Sequence, residues 1–188
     1  MKPNIKFILT DIEGTTTSVS FVYDVLFPYF REHVADLLSI SSGEIAHALQ
    51  DARLLHEQET GISGLDDQAL LDLILSWSLD DRKLTPLKTL QGILWKNAYE
   101  SGAIKAHVYD DVPLALSKWS TAGIQLAVFS SGSITAQKLL FKYANQGDLS
   151  SFFSAYFDTT SGSKRDSETY SLITKKLGCQ PQELLFLS

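Results

Sequence analysis

Ile5-Lys6-Phe7-Ile8-Leu9-Thr10-Asp11-Ile12-Glu13-Gly14-Thr15-Thr16 is the stretch on which the reading of this chain turns. Ile5 to Thr10 reads as a buried strand, and two carboxylates two residues apart follow it directly. On an extended backbone such a pair lies on one side. Gly14 and the hydroxyl residues beside it allow the chain to turn and present backbone N–H groups. An anion could sit in that turn, with a nucleophile and an acid next to it. That is the equipment for phosphoryl transfer through an aspartyl-phosphate. Taken without its continuation, the acid pair could equally solvate a loop or cap the next helix; Gly14-Thr15-Thr16 tips the balance toward a phosphate.

Working outward, residues 19 to 104 have the period of helices. Phe21, Val22, Val25, Leu26, Tyr29, Phe30, Val34 and Leu37 recur at spacings of one, three and four, with Pro28 expected to kink or restart the helix. Ser41-Ser42-Gly43-Glu44 reads as a break and a new start. Asp66-Asp67 opens another helix, and Thr85-Pro86 looks like an N-cap followed by a first-turn proline. This block is expected to hold about four helices. Beyond it the pattern changes. Pro113 to Trp119 looks helical, Gly123 to Phe129 is a buried strand closed by Ser130-Ser131-Gly132-Ser133, and a helix carries Ala136, Leu139, Leu140 and Tyr143. Tyr156-Phe157 is a short strand candidate, Ser167 to Leu177 a helix ending at Gly178, and Leu184 to Leu187 a final buried strand.

Strands alternating with helices give an α/β fold, a Rossmann-like parallel sheet core with a helical cap domain inserted after the first strand. The expected division is residues 1–18 with 105–188 as the core and 19–104 as the cap. Ligands of such sheets bind at the carboxyl ends of the strands. Asp11 and Ser130 both fall there, and Lys164 lies in a loop before a helix. Ser130 and Ser131 have two readings, turn chemistry or donors to a phosphate oxygen. Lys164 is either a solvated surface lysine or the cation that neutralises a bound phosphate.

Bulk properties narrow the class. The 188 residues fit one domain or a core with an insertion. A net charge of −6 disfavours a nucleic-acid partner. No apolar run approaches the roughly 18–20 residues of a membrane span. The single cysteine, Cys179, forms no internal disulfide and fits a reducing compartment, so a cytoplasmic enzyme is expected. His33, His47, His56 and His107 show no zinc-ligand spacing.

The order of these pieces resembles the haloacid dehalogenase superfamily of phosphatases. Local motifs are similar to one branch of it, the enolase-phosphatases of methionine salvage. They are Asp11 to Thr17 with Phe21 and Leu26-Phe27-Pro28; Asp81-Arg82-Lys83, Pro86-Leu87-Lys88 and Leu90-Gln91-Gly92; Ser130 to Ser133 with Ala136 to Leu140; and Gly162-Ser163-Lys164 with Ser167-Glu168 and Tyr170. Glu13, where most of the superfamily carries Asp, points to that branch.

The resemblance implies a Mg²⁺-dependent enzyme, one ion per subunit. It would enolise 2,3-diketo-5-methylthiopentyl-1-phosphate and then remove its phosphate to leave an acireductone. Asp11 would be nucleophile and metal ligand, and Glu13 a metal-site residue and general acid/base. Ser130 and Ser131 would hold the phosphate, with Lys164 fixing the charge around it. Arg82, Lys83, Lys88 and Gln91 would be candidates to contact the substrate or the core, with helix-surface charge as the alternative for each. A small-molecule phosphate ester is the only partner implied, and a monomer is expected. Two alternatives stand beside this: a phosphatase of the same superfamily acting on another small ester, and an inactive truncated product. The second arises because the acidic residue that the superfamily places after its final core strand would fall beyond Ser188. The expectation is thus of a chain shortened at its C-terminus.

Overall fold

The computed structural model describes residues 4–188. In chain order its main elements are β1 (Phe7–Thr10), α1 (Val19–Phe21) running into a π-helical turn (Val22–Leu26), α2 (Phe27–His33), a 3-10 turn (Val34–Leu38), α3 (Gly43–Thr60), α4 (Asp67–Leu79), α5 (Thr85–Ser101), α6 (Val112–Thr121), β2 (Gln125–Phe129), α7 (Ile134–Lys142), β3 (Phe153–Phe157), α8 (Ser167–Leu177) and β4 (Leu184–Leu187). They fall into two compact units, Met1–Val22 with Ile104–Ser188, and Tyr23–Ala103.

The first unit is built on a parallel sheet of order β3-β2-β1-β4. The α/β class with a helical insert after β1 is therefore as the sequence implies. Parallel strands pair across long connections and are covered on both faces, so their sequences are apolar throughout. Leu9, Ala127 and Phe129 lie on one face with Ile173 of α8 in a common buried cluster, and Tyr170, Leu177 and Phe186 pack against it. The alternate residues Ile8, Leu126 and Val128 are buried too. Strand β4 departs from the buried strand its sequence suggests: it lies at the edge of the order, and Leu185 is 42% exposed. Helix α6 packs on β2 and α7 on β3. Strand β3 starts three residues earlier than Tyr156. Ser154 hides it from the apolar pattern, but its hydroxyl donates to the Leu126 carbonyl at 3.1 Å, beside the register shift between Leu126 and Ala127.

The second unit is helical, with its own buried side chains: Phe30, Leu37, Ile45, Leu70, Ile74 and Leu90 among them. Ser42 and Asp66 accept from Ile45 N and Ala69 N as N-caps of α3 and α4, as their sequence positions suggest. Pro28 sits in the first turn of α2, where a missing N–H costs no ladder bond. The π-turn before it leaves a backbone carbonyl available, and Trp95 Nε1 donates to Leu26 O at 2.8 Å. Thr85 is a departure from expectation. Leu84 is the N-cap, and Thr85 is already helical with Pro86 next. Proline is tolerated throughout the first turn, so it does not mark the start to the residue. Among the described residues no helix is long and apolar enough to cross a membrane.

Among the described residues, one buried hydroxyl in the sheet lacks a hydrogen-bond partner. Tyr156 Oη on β3 makes no hydrogen bond. Burial, and then the charge of Asp148, pushes its phenol up to about 12. A folded-state value above the ordinary phenol range means stability present below about pH 10 and lost as pH rises toward 12. Tyr156→Phe is therefore expected to be neutral or slightly stabilising at pH 7 and to flatten the loss of stability between about pH 10 and 12. Urea midpoints at pH 7 and 11 check this. A loss above about 1 kcal/mol at pH 7 would count against it.

Candidate active site

Strand β1 lies between β2 and β4, with Thr10 aligned to Val128 and to Leu187. The residues after these strands therefore emerge side by side at the carboxyl edge of the sheet. Asp11 N donates to Leu187 O at 2.8 Å. The chain then winds tightly, with Ile12 O accepting from the N–H groups of Thr15, Thr16 and Thr17 at 3.0–3.1 Å. Gly14 takes φ 78, a left-handed conformation open to glycine at little cost. Thr17 is fully buried, and its hydroxyl donates to His107 O at 2.9 Å, which ties this winding to the segment entering α6.

Asp11 is only 7% exposed. A carboxylate taken that far from water needs charge and donors around it. Ile12 N donates to its Oδ1 at 2.8 Å. Lys164 Nζ lies 2.5 Å from Oδ2, and Ser188 Oγ donates to the same oxygen at 3.4 Å. The Lys164 ammonium also stands over the Phe129 ring, 5.8 Å from its centroid. Its backbone is fixed by Tyr170, whose Oη donates to Lys164 O at 2.8 Å. Burial, and then the negative charge of Asp11, pushes the Tyr170 phenol up, which keeps it protonated as a donor. The loop needs glycine at Gly162: φ is 121, and a Cβ there would collide with the Thr169 side chain.

Glu13 meets Ser130 instead of Lys164. Ser130, buried at the end of β2, donates from Oγ to Glu13 Oε2 at 3.2 Å and accepts from Gly132 N at 3.2 Å. The two acids of the opening motif thus find different partners from distant parts of the chain. Ser131 lines a cleft of about 370 Å³ with Phe129, Ser130, Thr159, Gly162, Ser163 and Lys164. Its lining combines the Phe129 ring with several hydroxyls and one ammonium, which suits a small anion.

Three contributors were given no role by the sequence, although Tyr170 stands among the motif residues. Ser188 touches Asp11 because β4 pairs with β1. Tyr170 acts through a main-chain carbonyl. Thr159 reaches the cleft after β3, where the strand-end logic applied to Ser130 would have found it. Asp158, 9% exposed, is spent locally, accepting from Thr160 N and Oγ1 at 3.0 and 2.6 Å. Among the described residues no three His, Cys, Asp or Glu side chains converge as a metal cluster. Asp11 and Glu13 are nevertheless hard oxygen donors. Magnesium is commonly held by one or two carboxylates, with water and substrate phosphate completing its shell. The donor set fits such an ion in kind.

The Lys164–Asp11 contact gives a direct test. Lys164→Met leaves the Asp11 charge without its cation and is expected to cost about 1–3 kcal/mol of stability in urea denaturation. Asp11→Asn in that background should recover most of the loss, because the unpaired charge is gone. Additive effects of the two substitutions would contradict the pairing.

Known proteins are similar to this chain over most of its length. A family model described as haloacid dehalogenase-like hydrolase matches residues 5–188. Enolase-phosphatase E1 of Pseudomonas fluorescens is 48% identical over 187 residues, which cover 98% of this chain and 81% of that protein. Enolase-phosphatase E1 of Pseudomonas aeruginosa is 50% identical over 184 residues, with 98% and 81% covered. Among solved structures, the UTR4 protein of Saccharomyces cerevisiae superposes with a TM-score of 0.79 at 34% identity, over 97% of this chain and 80% of that one. The chain belongs to the haloacid dehalogenase-like hydrolases and, among them, to the enolase-phosphatase E1 family.

Proposed function

We propose that the chain carries out both steps of an enolase-phosphatase in methionine salvage. It enolises 2,3-diketo-5-methylthiopentyl-1-phosphate and then hydrolyses the phosphate ester, releasing 1,2-dihydroxy-3-keto-5-methylthiopentene and inorganic phosphate. The observation that carries this reading is the meeting of Asp11, Glu13, Ser130 and Lys164 at one end of the sheet. The similarity to the E1 relatives supplies the substrate class.

In the phosphatase step an Asp11 carboxylate oxygen attacks phosphorus as the ester P–O bond breaks, and Glu13 hands a proton to the departing oxygen. Water then attacks the aspartyl-phosphate, giving its proton to Glu13, and phosphate leaves with the carboxylate restored. Ser130 and Ser131 orient the phosphate oxygens, and Lys164 balances their charge. Asp11 and Glu13 would hold a Mg²⁺, one per subunit, which supplies charge neutralisation between an anionic nucleophile and an anionic ester. In the enolase step Glu13, one methylene longer than aspartate, is assigned as the base: it takes the proton from the carbon next to the diketone, the C–H electron pair becomes the C=C bond, and the carbonyl oxygen takes a proton from solvent to give the enol. The helical block, residues 19–104, is assigned as a cap domain that limits water access during turnover. A cytoplasmic monomer acting on a small phosphate ester, without nucleic acid or membrane, goes with this reading.

The test uses purified protein, Mg²⁺ and the diketo phosphate. An ultraviolet-absorbing enol and released phosphate are expected, and Asp11→Asn should lower phosphate release by about 10⁴-fold or more. Phosphate release from the diketo ester with no enol would remove the enolase step and leave a phosphatase alone. Full activity in Asp11→Asn would remove the aspartyl-phosphate.

A further inference from the structure

We infer that Gln137 is a positioning residue of the anion cleft, tying the Ser130–Gly132 turn to the end of β3. Gln137 lies on the first turn of α7 and is 1% exposed. Its Nε2 donates to Gly132 O at 2.8 Å and to Phe157 O at 2.9 Å. Phe157 O also accepts from Ser130 N at 3.2 Å. One amide therefore joins the loop after β2 to the strand that leads to Thr159, and both loops line the cleft.

The orientation of the amide is settled by its surroundings. Turned over, Oε1 would face two carbonyl oxygens and both hydrogen bonds would become repulsions. As placed, Oε1 is buried with no hydrogen-bond partner among the described residues. Half of this side chain thus works against burial. A leucine or methionine would pack with no such penalty, but it would leave the half-buried Gly132 carbonyl and the buried Phe157 carbonyl with fewer donors. The position therefore depends on its donor side. The consequence reaches Ser130 and Gly132 together. Gly132 N donates to Ser130 Oγ, and Ser130 Oγ donates to Glu13. If the turn shifts, the hydroxyl that faces an anion and the contact to Glu13 shift with it.

This inference rests on the reading of the cleft as a phosphate site, and the experiment separates the two. Inorganic phosphate is titrated calorimetrically into the intact protein and into Gln137→Met, Leu140→Ala, Ser130→Ala and Lys164→Met. Leu140 is 4% exposed on the same helix and touches the question only through packing. Gln137→Met is expected to weaken phosphate binding about tenfold or more, and to raise KM for the ester more than it lowers kcat. Leu140→Ala should lower Tm yet bind phosphate within about twofold of the parent. A folded Gln137→Met that binds phosphate within about twofold of the parent overturns the inference. So does an equal loss in Leu140→Ala, which would mean general softening. Should the methionine variant not fold, Gln137→Asn keeps the amide but falls one methylene short of both carbonyls, and the same thresholds apply. If the parent binds no phosphate, or Ser130→Ala and Lys164→Met bind it unchanged, the cleft reading itself fails.

Discussion

A carboxylate that is 7% exposed must be balanced where it stands, and Asp11 draws three parts of the chain into doing so. Its own turn supplies Ile12 N, the loop before α8 supplies Lys164, and the residue after β4 supplies Ser188. Burying a charge is unfavourable unless it is paired and hydrogen-bonded. The sheet therefore needs β4 beside β1 and α8 over the Leu9 face for the site to form at all. Packing and electrostatics are coupled at this point: the cluster of Leu9, Phe129 and Ile173 that seats α8 is also what carries Tyr170 to the Lys164 carbonyl.

Glu13 stands in a different electrostatic setting although it is two residues away. Its partner is a neutral hydroxyl, Ser130, polarised by an N–H from Gly132. One acid paired with an ammonium and one with a hydroxyl is a division that suits a nucleophile beside a proton carrier. The separation arises because the tight winding after Ile12 turns Glu13 toward the β2 side, whereas Asp11 remains directed at the loop of Lys164.

Much of this was legible in the residues. The strand before Asp11, the helix after Asp66 with its aspartate cap, the Gly178 stop of α8 and the apolar β4 all follow from local period and cap chemistry. Asp11 and Ser130 were legible as neighbours because both follow parallel strands and share one edge of the sheet, whereas Lys164, in a loop before α8, meets Asp11 only through the fold. The start of β3 was obscured by Ser154, whose hydroxyl is satisfied by the neighbouring strand. Thr85 misled because a first-turn proline permits more than one helix start. Gln137 stood in a motif but without a role, since an amide inside an amphipathic helix reads as surface until its two carbonyl partners are known.

Sequence alone determined the kinds of element, their order and the chemistry available at the strand ends, because hydrophobic period, caps and turns act over a few residues. Tertiary structure decided which of those groups touch. Parallel pairing joins strands separated by long connections, and its register is set by burial of both sheet faces, not by any local pattern. That register puts Ser188 on Asp11, Ser130 on Glu13 and the Gln137 amide between two cleft loops.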